Sequence, residues 1–198
     1  MVVQISRSRR LCEQLLSLAH ASEGAPSEDA PAVVDLNSIA RDVVLQHLTL
    51  AHEKNQDLGL DAAEDAPVPD ALHKNPAVPV LARGAELHEA LSNLVHNAIV
   101  YTPPGGHITV KVSTGDGAAL AEVRDDGPGI AKARHAEVFE RFHSAGPTEK
   151  GARGAGLGMA IARAYARRNG GDIELADAGL GSGLRAVLRL PPASDPQG

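Results

Sequence analysis

Asn93 and Asn97 lie four residues apart in LSNLVHNAIVYTPPGG, and DDGPGI (Asp125 to Ile130) and GAGLG (Gly154 to Gly158) follow them along the chain. This succession of a polar helix face, a strand-end turn and a glycine-rich loop constrains the fold more than composition does. Four residues are about one helical turn, so both carboxamides project from one side. Leu87, Leu91, Leu94, Val95 and Ala98 fall on the opposite, core-facing side. Pro103 and Pro104 in TPPGG end the helix, because proline has no amide hydrogen with which to continue it.

A carboxamide offers its oxygen to a hard cation and its amide hydrogens to phosphate oxygens. Taken alone, the Asn pair suits a solvated or capping role as well. Asp125 follows the alternating stretch Ala119 to Val123, which predicts a strand, so its carboxylate stands at a strand end where it can accept an exocyclic amine hydrogen. Gly127 and Gly129 permit close ligand approach and Pro128 stiffens the turn, although a DDG turn is often only a turn. Lys150 to Gly158 runs into the helical pattern MAIARAYARRNGG. A glycine-rich loop entering a helix presents free backbone amides and a positive dipole end to phosphate, and Lys150 and Arg153 add cationic reach. The loop lacks the Gly-Lys-Ser/Thr ending of a P-loop and the early strand-turn-helix setting of a dinucleotide fingerprint. Together the three segments describe a nucleotide pocket.

With Phe139 and Phe142 between its second and third members, this order resembles the catalytic ATP-binding domain of sensor histidine kinases, over roughly Asp57 to Pro191. The resemblance implies an α+β fold: a two-layer α/β sandwich with a mixed sheet of about five strands, helices on one face, and a lid over the triphosphate. It implies ATP and Mg²⁺ as ligands, with Asn97 as the metal ligand and Asn93 its phosphate-side companion. Tyr101 would flank the base and Asp125 would take the adenine amine. Gly127, Gly129 and Ile130 would shape the base pocket, while Gly154, Gly156, Leu157 and Gly158 would cradle phosphates. Arg141, Lys150 and Arg153 would be lid cations aimed at the γ-phosphate, which makes Asn93, Asn97 and Arg141 the catalytic set. The two phenylalanines would either plug the core or anchor the lid.

Two positions depart from the family pattern. Val100 stands where the family often has Lys or Arg, and Asp126 where it commonly has Asn. Upstream, LCEQLLSLAH resembles the end of a second dimerisation helix. None of the nine histidines has the sequence context of a phosphoacceptor, and all are read as ordinary surface residues. The implied partners are the dimerisation and phosphoacceptor domain of the same kinase, whose histidine this fragment lacks, and a downstream response regulator. Two other readings compete. The related ATP hydrolases, such as gyrase and the mismatch-repair ATPases, place a catalytic Glu four residues before the metal Asn; Asn93 occupies that position and is a poor base. A non-catalytic ATP-binding pseudokinase module would suit Val100, but not the retained Asn97, Asp125 and glycines.

A chain of 198 residues can hold one core and a helical appendage. The expected division is a dimerisation-helix remnant over 1–22, a linker over 23–34, the ATP-binding domain over 35–192 and a tail over 193–198. A net charge of −6 supplies no basic stripe for nucleic acid, and the single Cys12 excludes an intrachain disulfide framework. No apolar run approaches the roughly 20 residues that span a bilayer. The resemblance implies the cytoplasmic portion of a membrane-anchored sensor in the inner membrane, and a fragment that is a monomer or weak dimer. A helix capped by Asp35 or Asn37 should bury Leu36, Ile39, Ala40, Val43, Val44 and Leu48. Further strands are predicted at 57–61, 78–82, 107–113, 173–176 and 184–190.

Overall fold

The computed structural model describes residues 30–61, 77–141, 156–179 and 182–193. Its elements run β1 (Ala32–Asp35), α1 (Leu36–Glu53), β2 (Asp57–Asp61), β3 (Pro79–Ala82), α2 (Gly84–Tyr101), β4 (His107–Gly115), β5 (Ala118–Asp125), two short 3-10 turns, α3 (Gly158–Arg168), β6 (Asp172–Asp177) and β7 (Leu184–Leu190). Five strands form one mixed sheet in the order β2-β4-β5-β7-β6. β2 lies parallel to β4, and the remaining neighbours are antiparallel.

Period-two alternation explains the layering. Ile108, Val110 and Val112 of β4, Ala119, Ala121 and Val123 of β5, and Leu188 and Leu190 of β7 are buried on one face, where they join the buried faces of all three helices in one core. The small side chains of Ala119 and Ala121 leave room for helices to approach the middle of the sheet. The opposite face carries Lys111, Glu122, Arg124 and Arg185. Its pairs, Lys111–Asp61 at 3.2 Å and Arg185–Glu122 at 3.6 Å, are exposed and contribute little to stability.

Four sequence expectations need correction. The strand near Val78–Ala82 does not join the main sheet; it pairs antiparallel with β1, Val34 opposite Val80. That partner arises inside the stretch expected to be linker, where the polar run gives way to the strand-favouring Ala32-Val33-Val34. The amide of Ala193, just beyond β7, donates to the Pro79 carbonyl at 3.1 Å. On α1, Leu48 is 41% exposed, whereas His47 is buried, its Nδ1 2.9 Å from the Val43 carbonyl and its ring edge-on to His96. The helix rotates its buried stripe through His47 and Ala51 because those positions continue the line from Val43 and Val44. The expected dimerisation-helix remnant over 1–22 lies outside the described residues.

The helix ends are held by side chains from elsewhere. Asp35 caps α1, accepting from Asn37 N at 3.1 Å and Val78 N at 2.9 Å, so one carboxylate joins the helix start to β3. At the far end of α2, Pro103 and Pro104 offer no amides to the last carbonyls. Lys54 Nζ supplies hydrogen bonds to the carbonyls of Ile99, Val100 and Thr102, and Gln56 Nε2 to those of Ile99 and Thr102. An ammonium at a helix C-terminus also complements the helix dipole, and its burial lowers the Lys54 pKa. Between α2 and α3, Glu86 pairs with Arg168 at 3.1 Å and accepts from Asn169 Nδ2 at 2.9 Å, while Asn169 Oδ1 accepts from Arg83 N at 2.8 Å. This buried cluster fixes the two helices that carry the candidate site.

Candidate nucleotide-binding site

Asn93 and Asn97 converge on the start of α3. A methyl at Gly158 would stand 3.2 Å from the Oδ1 of each, so glycine is what lets the helix end come this close. Asn93 is 6% exposed, and its Nδ2 donates to the Glu89 carbonyl at 2.9 Å and to Glu89 Oε1 at 3.3 Å. Its amide hydrogens therefore point back along α2, and its oxygen faces α3. Asn97, one turn later and less buried, presents the more accessible carboxamide. The first turn of α3 contains no acidic residue and no side-chain cap. Its leading amides, unpaired within any helix, suit an anion.

Asp125 ends β5 beside the last turn of α2. Its Oδ1 accepts from Gly127 N at 2.9 Å and Leu184 N at 3.4 Å. Burial raises its carboxyl pKa above 3.8; the Gly127 and Leu184 amides oppose that rise, and the Asp126 charge adds to it. The folded chain thus holds the proton more tightly than the unfolded one. Protonation at Asp125 stabilises the ligand-free fold at low pH, and this contribution is lost as pH rises through the raised pKa. A carboxylate accepts from an amine, whereas a protonated carboxyl loses part of that capacity. Acidification should therefore weaken adenine-nucleotide binding at a pH above the ordinary aspartate range, and a parallel titration of Asp125→Asn cancels the nucleotide's own protonation. Identical pH profiles for the two proteins would refute the role of the carboxylate.

Asp126 points away, accepting from His107 N at 2.9 Å and lying 3.0 Å from His107 Nδ1. Desolvation raises its pKa, but the His107 amide and imidazole outweigh it and the net shift is downward. Asp126 thus ties β5 to the start of β4.

Other predicted residues divide into those gathered at this end of the sheet and those elsewhere. Tyr101 closes α2, its carbonyl 3.3 Å from where a Gly127 Cβ would stand. Ile130 is half-buried, with His135 Nε2 2.9 Å from its carbonyl oxygen. Gly156 precedes α3, whereas Leu157 is fully buried in the core. Arg141 is exposed at the edge of the described residues; Phe142, Lys150, Arg153 and Gly154 lie outside them. Phe139 packs against the core under the Arg163 guanidinium, 4.3 Å from the ring centroid. Asp172 holds Arg163 in place at 2.7 and 3.1 Å. Burial raises the Asp172 pKa, but the bonds from Arg163, the Ile173 amide and Arg167 outweigh this and hold the carboxyl well below the usual range.

Sequence reasoning missed Lys54, Gln56, Gly183 and Leu184. Nothing local marks the first two, because their partners are some 45 residues away. GLGSG before the last strand was a usable signal, since a plain hairpin turn does not need three glycines in five residues.

Comparison with protein families matches residues 82–194 to the histidine kinase-, DNA gyrase B-, and HSP90-like ATPase family. The chain belongs to that family. Within it, the sensor protein kinase PmrB of Pseudomonas aeruginosa is 32% identical over 194 residues, covering 96% of this chain and 38% of PmrB. The swarming motility regulation sensor protein RssA of Serratia marcescens is 29% identical over 197 residues, covering 98% of this chain and 38% of RssA. The crystal structure of full-length ShkA in complex with AMPPNP superposes with a TM-score of 0.71 at 27% identity, covering 94% of this chain and 36% of ShkA. The chain thus spans less than two-fifths of the length of these relatives. Its fold is that of histidine kinase ATP-binding domains, and the chain is an ATP-binding catalytic domain of the sensor histidine kinase type.

Proposed function

We propose that this kinase domain holds Mg-ATP between α2, α3 and the Asp125 turn and presents the γ-phosphate to a histidine of a dimerisation domain in the same kinase. A response regulator would then receive the phosphoryl group. The observation that carries the reading is the approach of both Asn carboxamides to the first turn of α3: one helix supplies oxygen for a cation and the other supplies amides for the phosphates bound to that cation. A single protein carboxamide fits Mg²⁺, which commonly keeps waters and substrate phosphates as its other ligands. When bound there, Mg²⁺ would offset charge on the triphosphate.

The chain's own residues then act mainly by positioning, which dominates phosphoryl transfer. Asp125 accepts the adenine amine, Asn97 orients the triphosphate, and the start of α3 stabilises its charge. Asn93 lacks the basicity to activate water and its amide is already bonded to Glu89, which favours transfer over hydrolysis. Arg141, Lys150 and Arg153 would supply cations to the γ-phosphate. Among the described residues no helix is long and apolar enough to cross a membrane; anchoring at the inner membrane would fall to other parts of the parent protein.

Calorimetric titration with a non-hydrolysable ATP analogue, with and without Mg²⁺, tests the pocket. Binding that Mg²⁺ strengthens and Asp125→Ala abolishes is the expected result, to be followed by phosphoryl transfer to a separate histidine-bearing dimerisation fragment. No binding by the unmodified chain would instead favour a non-catalytic module.

A further inference from the structure

The turn between β6 and β7 meets the Asp125 loop backbone to backbone. Gly183 has φ +104° and Gly129 φ +69°, conformations that side chains rarely adopt. A methyl at Gly183 would stand 2.1 Å from the Asp125 carbonyl oxygen and 3.0 Å from Ala178 Cβ, and one at Gly129 would stand 2.8 Å from the Gly183 carbonyl oxygen. Neither junction has space for a side chain. Ala178 N closes the turn onto the Gly183 carbonyl at 3.3 Å. One residue further, at the first position of β7, the Leu184 amide points to Asp125 Oδ1, the oxygen that also accepts from Gly127. Among the described residues Asp125 Oδ2 accepts no hydrogen bond.

The geometry points to Gly183 and Leu184 as positioning residues for base specificity: they press the β6–β7 turn onto Asp125 so that the main chain holds one carboxylate oxygen and the other is left for the exocyclic amine. The inference rests on the reading of Asp125 as the adenine acceptor. A carboxylate free to rotate could turn away from a base that offers it no donor. One locked through Oδ1 cannot turn away, and an analogue lacking the amine then leaves it unpaired. Leu184 makes this contact with its backbone amide, which explains how a residue with an apolar side chain can act on a polar recognition.

The test compares ATP with inosine triphosphate, in which a carbonyl replaces the amine, by calorimetric titration of the full chain. The unmodified chain should prefer ATP. Gly183→Ala, which drives a Cβ into the Asp125 carbonyl, and Leu184→Pro, which removes the amide at a strand's first position where proline is tolerated, should each reduce that preference about tenfold, through loss of ATP affinity. A merely structural role would weaken both nucleotides together, and an unchanged ratio in the folded variants overturns the proposal. Asp125→Ala separates the two levels. A preference that survives in it overturns the adenine reading and the proposal together, whereas one lost in it yet intact in the other two variants overturns the positioning role alone. Because a Cβ at Gly183 can also prevent folding, the amide resonance of Leu184 is followed with pH in the unmodified chain. It should shift with the Asp125 titration, and a flat response there also overturns the proposal.

Discussion

Replacing Asn97 with alanine should lower the Mg²⁺-dependent affinity for ATP about 100-fold, roughly 2.8 kcal/mol, while the domain stays folded. The side chain is only partly buried, and its carboxamide faces Gly158 rather than the core. Alanine is the best helix former, so α2 itself should not suffer. Asn97 is also the accessible member of the pair, since Asn93 has its amide committed to Glu89. Titration with a non-hydrolysable analogue at saturating and zero Mg²⁺ reads the effect directly. Equal loss under both conditions would mean that Asn97 contacts the nucleotide and not the metal, and no loss would remove it from the site.

A second large effect belongs to packing. Leu91 is fully buried on the opposite face of the same helix, within the one cluster that joins sheet and helices. Leu91→Ala removes buried methyl and methylene groups and leaves a cavity, at a cost of about 3 kcal/mol. Against total stabilities of about 5–15 kcal/mol this is a large fraction, and for a domain of this size it lowers the thermal midpoint by roughly 6–12 °C. Because the Asn residues face the other way, nucleotide affinity measured well below the midpoint should be nearly preserved. A midpoint shift of only a degree or two would show that the neighbours collapse into the space. Together the two substitutions separate the faces of α2: one should remove binding without unfolding, the other should weaken the fold without removing binding.

The parts of this fold that were legible in the sequence are those that local periodicity writes. The five apolar positions of α2, the alternation in β4 and β5, the Asp35 cap and the proline stop after Tyr101 all depend on residues within a few positions of one another. β1 was hidden because a four-residue strand beside a polar, proline-containing run carries too little pattern, and its partner β3 is reached only across the intervening segment. His47 was misjudged for a related reason: an imidazole can satisfy one nitrogen on its own helix, here at the Val43 carbonyl, and so tolerates burial that composition alone would not assign to it. At the candidate site, Asn93, Asn97, Asp125 and Gly158 could be read from motif order because each lies in its own recognisable segment. The supports behind them could not. Lys54 acts on carbonyls of α2, and Leu184 on a carboxylate 59 positions away, through backbone or side-chain contacts that leave no spacing signature.

β7 is the last strand among the described residues, yet it lies inside the sheet, between β5 and β6. A ribosome makes β5 and β6 first, and each carries a bare edge until Leu184–Leu190 has left the exit tunnel. Until then Asp125 has no Leu184 amide beside it, and the two strands can pair with any other chain that offers an edge. The five-stranded sheet can therefore close only once β7 has been made. A stop codon shortly before β7 would yield not a weakened kinase domain but a chain with two open seams, and quality control rather than signalling would decide its fate.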